Sequence, residues 1–508
     1  MLTDPVLLGA TPTSVRVAWF TEWRGRAHEV ALADGRRFAA RTRRLTRVAE
    51  DGDSCAPRMR VDRLTARQVW RHEAVVDGLH AGRRVGYRVT SVDDAGHRVD
   101  SAQFTLAPAG TGDLLLLTSD HQLRALTVAN LQAAYELAGD RLGGVLHAGD
   151  LVNDPDRASE WFDHGGGCGF FPAMQGRGSV TVAGRRWRGA PLLQHAPLYP
   201  ALGNHEVTGD VGDTLAERFE RVRPDTVDTT TYEQIFGLPR WYAATIGPVR
   251  LIVLFATRVF RPYSWDGSVR GTFAEATADL ADGDRWGHGQ HIFASVARGS
   301  EQYEWLAAEL SGEAARRARF RVVMLHHPVH SIGWTAAPPF ADPVPVIDRD
   351  PAGAVSAVRY EYPLAADQLL HDVEPLLSRH RVELVLYGHT HVWNRFRNDA
   401  GVHFLETSNV GNTFGAYLPG GPARMVPGPG DGFLGPYAVH GNAGGLEPIV
   451  PTLAPVHGPD GAPLPYHSSD EVSAFSLLDT TAGAVRSYRL DPAAPEPVPQ
   501  LFDEFLLK

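Results

Sequence analysis

The first hundred residues alternate between apolar and polar positions, in short runs that turn residues separate. Val15, Val17 and Trp19 lie two residues apart, and the same period recurs at 85–89. Alternation with a period of two is typical of β-strands that bury one face, and Gly, Asp and Pro mark the turns between them. The pattern therefore predicts an all-β sandwich over residues 1–108. We expect it to have a structural or positioning role, because its sequence carries no catalytic constellation.

Beyond residue 108 the pattern changes to continuous apolar runs separated by helical periods. The runs at 114–117, 145–146, 249–254, 321–325 and 385–387 predict strands that are buried on both faces. Apolar residues spaced three and four apart predict helices at 128–135, 303–310 and 369–377. Further strands are predicted at 475–477 and 485–488, and loops or surface excursions at 155–195, 261–295 and 335–362. We therefore predict a second, α/β domain over residues 109–508.

Residues with metal-binding side chains follow five of the predicted strands. In chain order they are Asp120, Asp150, Asn204 with His205, His326, and His389 with His391. The carboxyl ends of strands are where open α/β sheets bind their ligands. Carboxylate, amide and imidazole together suit borderline or hard divalent ions, or iron, and a carboxylate such as Asp150 can bridge two ions about 3.5–4 Å apart. We therefore predict two metal ions, of Fe, Zn, Mn or a similar element.

Composition narrows the classes of partner and location. The chain has 508 residues and a formal net charge of −10, which argues against a protein that coats nucleic acid. It contains no run of about 18 apolar residues, so no transmembrane helix is predicted. No signal peptide is visible, so a cytoplasmic location is the default expectation, or a secreted one if a leader was removed. Neither the oligomeric state nor the redox state of Cys55 and Cys168 can be read from the sequence.

Five short motifs resemble those of a known family. They are SDHQ (119–122), GDLVN (149–153), GNHE (203–206), LHHP (325–328) and GHTH (388–391). In this order and spacing they resemble the motifs of the calcineurin-like metallophosphoesterases. A sandwich before the catalytic domain resembles the purple acid phosphatase branch, and residues 79–89 resemble the late strand of a fibronectin type III-like domain. The resemblance spans nearly the whole chain and implies a catalytic domain built as a sandwich of mixed sheets flanked by helices.

The resemblance also implies a role for each motif side chain. One metal would be held by Asp120, Asp150 and His391, and the second by Asp150, Asn204, His326 and His389. His205 would lie outside the ligand set, face the substrate phosphate and act as the catalytic residue, with Glu206 orienting it. His330 and Arg395 lie close to motif residues along the chain, and we predict from this position that they contact the substrate.

Two positions depart from the family patterns. The wider family has Asp-x-His where this chain has Asp120-His-Gln122, and the purple branch has a tyrosine where this chain has Asn153. Without that tyrosinate, an iron-loaded protein should not be purple. We predict that the amide oxygen of Gln122 or Asn153, or else water, completes the coordination of the first metal. A neutral amide is a weaker donor than imidazole or phenolate, so this metal should be labile.

The resemblance implies hydrolysis of small-molecule phosphate esters by a metal-bound hydroxide at a dinuclear centre. Phosphomonoesters are favoured because of the sandwich-plus-catalytic architecture. The missing tyrosine and the unusual Gln122 leave open a phosphodiesterase or a nucleotide-hydrolysing enzyme on the same core. From a different class, the chain could be a non-catalytic binding protein on a degraded phosphatase fold. Retention of the ligand-type residues argues against that alternative.

Overall fold

The structure is a computed structural model of the chain. It describes residues 1–57, 59–209, 212–220, 222, 226–259, 274–286, 292–333, 339–420 and 443–508. In this part of the chain, none of the helices combines the length and the apolarity needed to cross a bilayer.

Two mixed sheets form the centre of the structure. In spatial order, the strands of the ten-stranded sheet are Gln500–Leu506, Ala484–Leu490, Ser473–Asp479, Leu114–Thr118, Leu142–His147, Leu198–Pro200, Val6–Leu8, Val15–Thr21, Trp70–Val76 and Arg41–Arg44. Those of the seven-stranded sheet are Tyr242–Ile246, Val249–Val253, Phe320–Met324, Leu384–Tyr387, His403–Thr407, Trp393–Arg397 and Tyr466–His467. In both sheets the central strands are parallel and the outer strands antiparallel.

The apolar runs exist because these central strands separate two hydrophobic layers. Leu115 and Leu117 pack in the layer between the two sheets, together with residues of the other sheet such as Met324. Leu114 and Leu116 pack in the layer on the outer side of the ten-stranded sheet. Since side chains alternate along a strand, a strand covered on both faces needs an unbroken apolar run. This confirms the predicted sandwich of mixed sheets flanked by helices.

Helices cover the outer faces of both sheets. The α-helices are Ala125–Ala138, Ala158–Phe162, Phe170–Met174, Leu215–Glu220, Thr230–Phe236, Glu301–Ser311, Glu313–Arg317 and Glu374–Arg379. A turn of π-helix occupies Leu369–Val373, and 3-10 turns occupy Gly139–Arg141, Asn204–Glu206, Thr277–Asp279, Gly283–Arg285 and Leu364–Ala366. Helix Ala125–Ala138 packs against the ten-stranded sheet, and Tyr303, Leu306 and Leu376 pack against the seven-stranded sheet. The three predicted helices are therefore confirmed.

The N-terminal region is a smaller all-β sandwich, as predicted. Its separate sheet contains Arg98–Asp100, Val85–Val92, Ala27–Leu32 and Arg37–Ala39 in that order, with Phe104–Leu106 also paired to Val85–Val92. Ala49–Glu50 pairs antiparallel with Thr65–Ala66. Val17, Trp19, Val30, Tyr87 and Val89 fill the core between this sheet and one end of the ten-stranded sheet.

The predicted boundary at residue 108 does not coincide with a break in the ten-stranded sheet. Val6–Leu8 pairs in parallel with Leu198–Pro200, with Leu8 opposite Leu198. The Tyr87 hydroxyl also donates to the Gln194 carbonyl at 2.8 Å, across the same boundary. One sheet thus runs through both predicted domains, and the division into 1–108 and 109–508 stays a prediction.

The insertion at 155–195 is not the loop that its glycine content predicted. It contains two short helices and the hairpin Val180–Val182 with Arg185–Trp187. Trp161 and Phe170 are buried in the core beside the ten-stranded sheet. The prediction was wrong because these elements are stabilised by tertiary packing, which local composition does not reveal.

The segment 335–362 likewise contains a hairpin, Val344–Arg349 with Val355–Glu361, where a loop was predicted. Its strands are rich in β-branched residues, a signal that the surrounding Pro and Ala content outweighed in the prediction. For the excursion predicted at 261–295, residues 261–273 and 287–291 lie outside the described residues.

Buried histidines should make the fold sensitive to acid. The ring of His72 lies 2.8 Å from the Thr21 hydroxyl and 3.0 Å from the Thr42 hydroxyl, and it stacks on His28 at 3.6 Å between centroids. Burial, with a smaller contribution from His28, lowers the pKa of His72 to about 3. In the unfolded chain the pKa is about 6.5, so the unfolded state binds the proton more readily. Stability should therefore fall as the pH drops from about 6.5 to about 3, by up to about 1.4 kcal/mol per pH unit for this residue.

We expect the midpoint of thermal unfolding to fall between pH 6.5 and pH 4. In His72→Gln the amide can still bond one threonine hydroxyl but takes up no proton, so the dependence on pH should be shallower. Circular dichroism on both proteins at several pH values checks this. Parallel curves would show that His72 does not carry the acid sensitivity.

Candidate metal centre

The two central sheets bring five strand ends to one edge of the fold. The ten-stranded sheet contributes the ends of 114–118, 142–147 and 198–200, which precede Asp120, Asp150 and Asn204. The seven-stranded sheet contributes the ends of 320–324 and 384–387, which precede His326, His389 and His391. Within each set the strands are adjacent and parallel, so their carboxyl ends lie side by side.

His326 lies at the centre of one group of potential ligands. Its Nδ1 donates to the Ala148 carbonyl at 2.8 Å, which leaves the Nε2 lone pair for a cation. Nε2 lies 3.0 Å from Asn204 Oδ1, 3.2 Å from His389 Nδ1 and 3.3 Å from Asp150 Oδ2. The ring is completely buried. Three further donor atoms therefore lie within 3.3 Å of His326 Nε2.

A second group contains Asp120 and His391. His391 Nδ1 donates to the Phe414 carbonyl at 2.6 Å, and its Nε2 lies 3.5 Å from Asp120 Oδ1. Ligand atoms of Asp120, Asp150 and His326 lie within 4.8 Å of one another. Asp150 is therefore placed to contact ions in both groups.

The backbone is strained where it presents these side chains. Asp120 and Asp150 both have a φ of 55°, and His389 and His391 have φ values of 85° and 58°. Such left-handed residues cost about 1–3 kcal/mol each and persist where the surroundings hold them, commonly at functional sites. A Cβ on Gly203 would lie only 2.1 Å from Asp150 Oδ1, so only glycine leaves room for the carboxylate there. The loop backbone therefore adopts conformations that bring the donor atoms together and leave room for them.

The electrostatics of the site suit cations. Burial alone would raise the pKa of Asp150, but the charges of His326 and His205 outweigh it and hold this pKa well below its usual range. Burial alone would lower the pKa of His326, but Asp150 outweighs it and raises this pKa to about 9. A ligating imidazole must be neutral, so a cation would replace the proton on His326. Two carboxylates, an amide oxygen and three imidazoles fit a pair of divalent ions.

His205 lies at the rim of this cluster. Its side chain is 23% exposed, while that of Asp150 is 2% exposed. Nδ1 donates to the Asn153 carbonyl at 2.7 Å, and the backbone N–H donates to Asp150 Oδ1 at 2.9 Å. Nε2 lies 4.0 Å from Asp150 Oδ2, next to the cluster and within reach of solvent. Its catalytic role stays a prediction.

Glu206 bonds to the backbone of two loops and not to the ring of His205, which it was expected to orient. Its carboxylate accepts hydrogen bonds from the backbone N–H groups of Asp150 at 2.9 Å, Leu151 at 2.8 Å and Gly203 at 2.8 Å. Burial and the charge of Asp150 raise the pKa of Glu206 to about 8. The prediction that Glu206 orients His205 is therefore corrected. Glu206 joins two ligand loops, and the carbonyl of residue 153 orients the imidazole.

Of the two positions that depart from the family patterns, Gln122 lies inside the cluster. Its Nε2 lies 3.5 Å from Asp150 Oδ2, and its Oε1 accepts from Asn412 Nδ2 at 2.8 Å. Asn153 is exposed, and its side-chain amide donates to the Gln122 carbonyl at 3.3 Å. Gln122 therefore lies closer to the predicted ligands than Asn153 does, with its NH₂ group and not its oxygen towards Asp150. Rotating the Gln122 amide by half a turn would direct its oxygen towards Asp150 and its NH₂ group towards Asn412.

The structure places two predicted substrate contacts away from the cluster, and their substrate role stays a prediction. Arg395 is buried and forms two hydrogen bonds with Asp503, at 2.8 and 3.0 Å. His330 is buried, donates from Nδ1 to the Ala443 carbonyl at 2.9 Å, and has Nε2 3.2 Å from Glu374. Closeness to a motif along the chain does not bring a side chain into the site, because its direction depends on the backbone.

Sequence reasoning missed two neighbours of the cluster. Asn412 Nδ2 lies 3.4 Å from His391 Nε2, and no motif marks this loop residue. His327 stacks on His389 at 3.8 Å between centroids and offers a ligand atom within 4.8 Å of those of His326 and His389. The paired histidines of LHHP were its only signal.

Comparison with known proteins agrees with this geometry. Residues 116–393 match the model of the calcineurin-like phosphoesterase family, and this span includes all five motifs. No curated protein matches the chain. A purple acid phosphatase from yellow lupin (Lupinus luteus) seeds is similar over 99% of this chain and 73% of its own, at 14% identity and a TM-score of 0.55. That similarity shows a shared fold across both parts of the chain.

Other solved structures overlap less well. A dimetal phosphatase from Danio rerio aligns over 58% of this chain and 87% of its own, at 15% identity and a TM-score of 0.32. GAP50 of Plasmodium aligns over 78% and 90%, at 11% identity and the same TM-score. The family match covers more than half of the sequence, and the donor set fits the dinuclear centre of metal-dependent phosphoester hydrolysis. The chain therefore belongs to the calcineurin-like phosphoesterase family and has a purple acid phosphatase-like architecture.

Proposed function

We propose that this chain hydrolyses small-molecule phosphomonoesters at a dinuclear metal centre. The observation that carries the proposal is the convergence of six ligand-type side chains beside His205. One ion would be held by Asp120, Asp150 and His391 with Gln122, and the other by Asp150, Asn204, His326 and His389.

The ligands would be held ready for the ions before substrate arrives. The carbonyls of Ala148 and Phe414 accept the Nδ1 hydrogens of His326 and His391, so each ring directs Nε2 at the site. Divalent ions held there would neutralise the anionic ester and lower the pKa of bound water towards about 7. This neutralisation is needed because a dianionic ester would otherwise repel an anionic nucleophile.

His205 is the chain's candidate for contact with the reacting phosphate. Its Nδ1 is fixed on the Asn153 carbonyl, so Nε2 is the nitrogen that faces the substrate. From the rim, a protonated Nε2 could donate to a phosphate oxygen or give its proton to the leaving oxygen. Either role stabilises charge that develops during cleavage of the P–O bond.

The choice of monoesters is supported by architecture. The lupin protein that shares the fold over both parts of this chain is a phosphatase. The same core could accept a diester, whose single negative charge needs less neutralisation.

The test combines metal analysis with a matched pair of substrates. The purified chain is reconstituted separately with Zn, Mn and Fe, and its metal content is compared with turnover of p-nitrophenyl phosphate and bis(p-nitrophenyl) phosphate. We expect two ions per chain and a higher kcat/KM for the monoester. A higher value for the diester would overturn the monoester proposal alone. A chain without metal and without either activity would overturn the whole proposal.

A further inference from the structure

A buried carboxylate lies behind the GHTH loop but outside the predicted ligand set. Glu406 belongs to strand His403–Thr407, where it is opposite Tyr387 on one side and Asn394 on the other. Its side chain is completely buried. No motif marks this position, so its role has to be read from its contacts.

Those contacts are dominated by the loop that carries two predicted ligands. Glu406 Oε1 accepts from the backbone N–H of Thr390 at 2.9 Å, and it also accepts from the Thr390 hydroxyl. The Asn394 amide at 2.7 Å and the Ser408 hydroxyl at 3.1 Å also donate to the carboxylate. Thr390 stands between the two histidines of the loop, so Glu406 fixes that loop at its midpoint.

The same carboxylate reaches a second ligand loop. The Ser331 hydroxyl donates to Glu406 Oε2 at 2.9 Å, and Ser331 lies in the segment that follows His326. The hydroxyls of Ser331 and Thr390 are also 3.1 Å apart. One buried group therefore ties together the loops that carry His326, His389 and His391.

The backbone of the GHTH loop needs such support. His389 and His391 both have positive φ, a conformation that side-chain-bearing residues adopt only when their surroundings enforce it. The Thr390 N–H between them donates to Glu406. Without this bond, the loop would keep the His389 N–H bond to Asp120 but lose the contact at its midpoint that opposes relaxation to an ordinary backbone conformation.

We propose that Glu406 is a positioning residue for the dinuclear centre. By holding Thr390 and Ser331, it keeps the three imidazoles in the geometry that binds metal. The inference rests on the proposed function, because it assigns Glu406 to the metal site of that reaction. It acts through the backbone and hydroxyl groups of its neighbours and does not itself touch substrate or metal.

A carboxylate suits this position because each of these neighbours donates a hydrogen bond to it. Burial raises the pKa of Glu406 to about 7, and the hydrogen bonds from Thr390, Asn394 and Ser331 limit that rise because they favour the ionised form. The ionised form offers two acceptor oxygens and no hydrogen, whereas Gln offers one oxygen and an NH₂ group. Glu406→Gln would therefore place an NH₂ group against buried groups that donate to the carboxylate, while it preserves the shape and volume of the side chain. Thr390→Val is a milder change that removes only the hydroxyl and leaves the backbone bond.

The first measurement is the release of metal from the reconstituted chain to an excess of chelator. We expect Glu406→Gln to weaken metal binding by about 10–100-fold, the usual effect of removing a group that supports metal ligands. Thr390→Val should give a smaller change in the same direction. Asp503→Asn is the matched control, because Asp503 is also buried and holds Arg395 on the strand next to Glu406. It should lower the thermal midpoint without speeding metal release.

The second measurement is hydrogen exchange on the metal-free chain. Glu406→Gln should speed exchange of the Thr390 amide, whereas Asp503→Asn should not. Unchanged exchange and unchanged metal release in Glu406→Gln would overturn the proposal. If Glu406→Gln does not fold, Thr390→Val decides, and wild-type metal release in that variant would overturn it. A wild-type chain that takes up no metal counts against the proposed function, while the exchange experiment still shows whether Glu406 holds the loop.

Discussion

Asp150→Asn is expected to lose most of both metals and nearly all activity. Asp150 Oδ2 lies 3.3 Å from His326 Nε2 in one ligand group, and its carboxylate is within 4.8 Å of that of Asp120 in the other. Asparagine keeps the size of the side chain and one oxygen, but it removes the charge that lets one group bridge two cations. The fall in kcat should exceed the roughly 10²–10³-fold loss that follows removal of a single transition-state donor.

The measurement is elemental analysis of the reconstituted variant, paired with its turnover. Asp154→Asn is a close control, because Asp154 is a buried aspartate of the same loop whose carboxylate accepts from the backbone of residue 156 at 3.2 Å. That variant should keep two ions. Two tightly held ions in Asp150→Asn would show that Asp150 is not the bridge, whatever its activity.

The predicted ligands could be found from the sequence because each depends on a local pattern. An apolar run that ends in a polar ligand residue marks a buried strand and its carboxyl end, as at Asp120 and His389. In a parallel sheet these ends lie at one edge, so the ligand residues can be expected to lie near one another before the strand order is known. The fold class was predictable for the same reason, because a continuous apolar run such as 114–117 indicates a strand that is buried on both faces.

What the sequence could not reveal depends on contacts between distant residues. Glu406 and Thr390 are 16 residues apart, Asn412 reaches Gln122 across 290 residues, and neither pair has a spacing rule. Arg395 was predicted to contact the substrate because it lies close to the GHTH motif, and its partner Asp503, 108 residues away, could not be identified from the sequence.

The N-terminal strand shows the same limit at the level of the sheet. Its pairing with Leu198 joins the sandwich to the second part of the chain through one bridge, which alternation alone cannot predict. Hydrophobic pattern indicates that a strand has a buried face, but it does not identify the neighbouring strand.

His205→Ala is expected to keep both metals and the fold while lowering kcat by about 10²–10⁴-fold, the usual contribution of general acid–base catalysis. His205 lies at the rim with Nδ1 on the Asn153 carbonyl, and its Nε2 is 4.0 Å from Asp150 Oδ2. Removing the ring leaves the ligand groups around His326 and His391 untouched, so metal content should not change. Normal turnover in this variant would sink the catalytic assignment.

The leaving group separates the two roles open to His205. If the ring protonates the leaving oxygen, its loss should matter greatly for an alkyl phosphate and little for p-nitrophenyl phosphate, whose leaving group is stable as an anion. If the ring only binds a phosphate oxygen, both substrates should lose activity by the same factor, because that contact is common to both. Comparing kcat for the two substrates in wild type and His205→Ala, at equal metal content, therefore measures proton donation apart from binding. Metal loss in His205→Ala would contradict both roles, because it would place His205 among the groups that hold the ions.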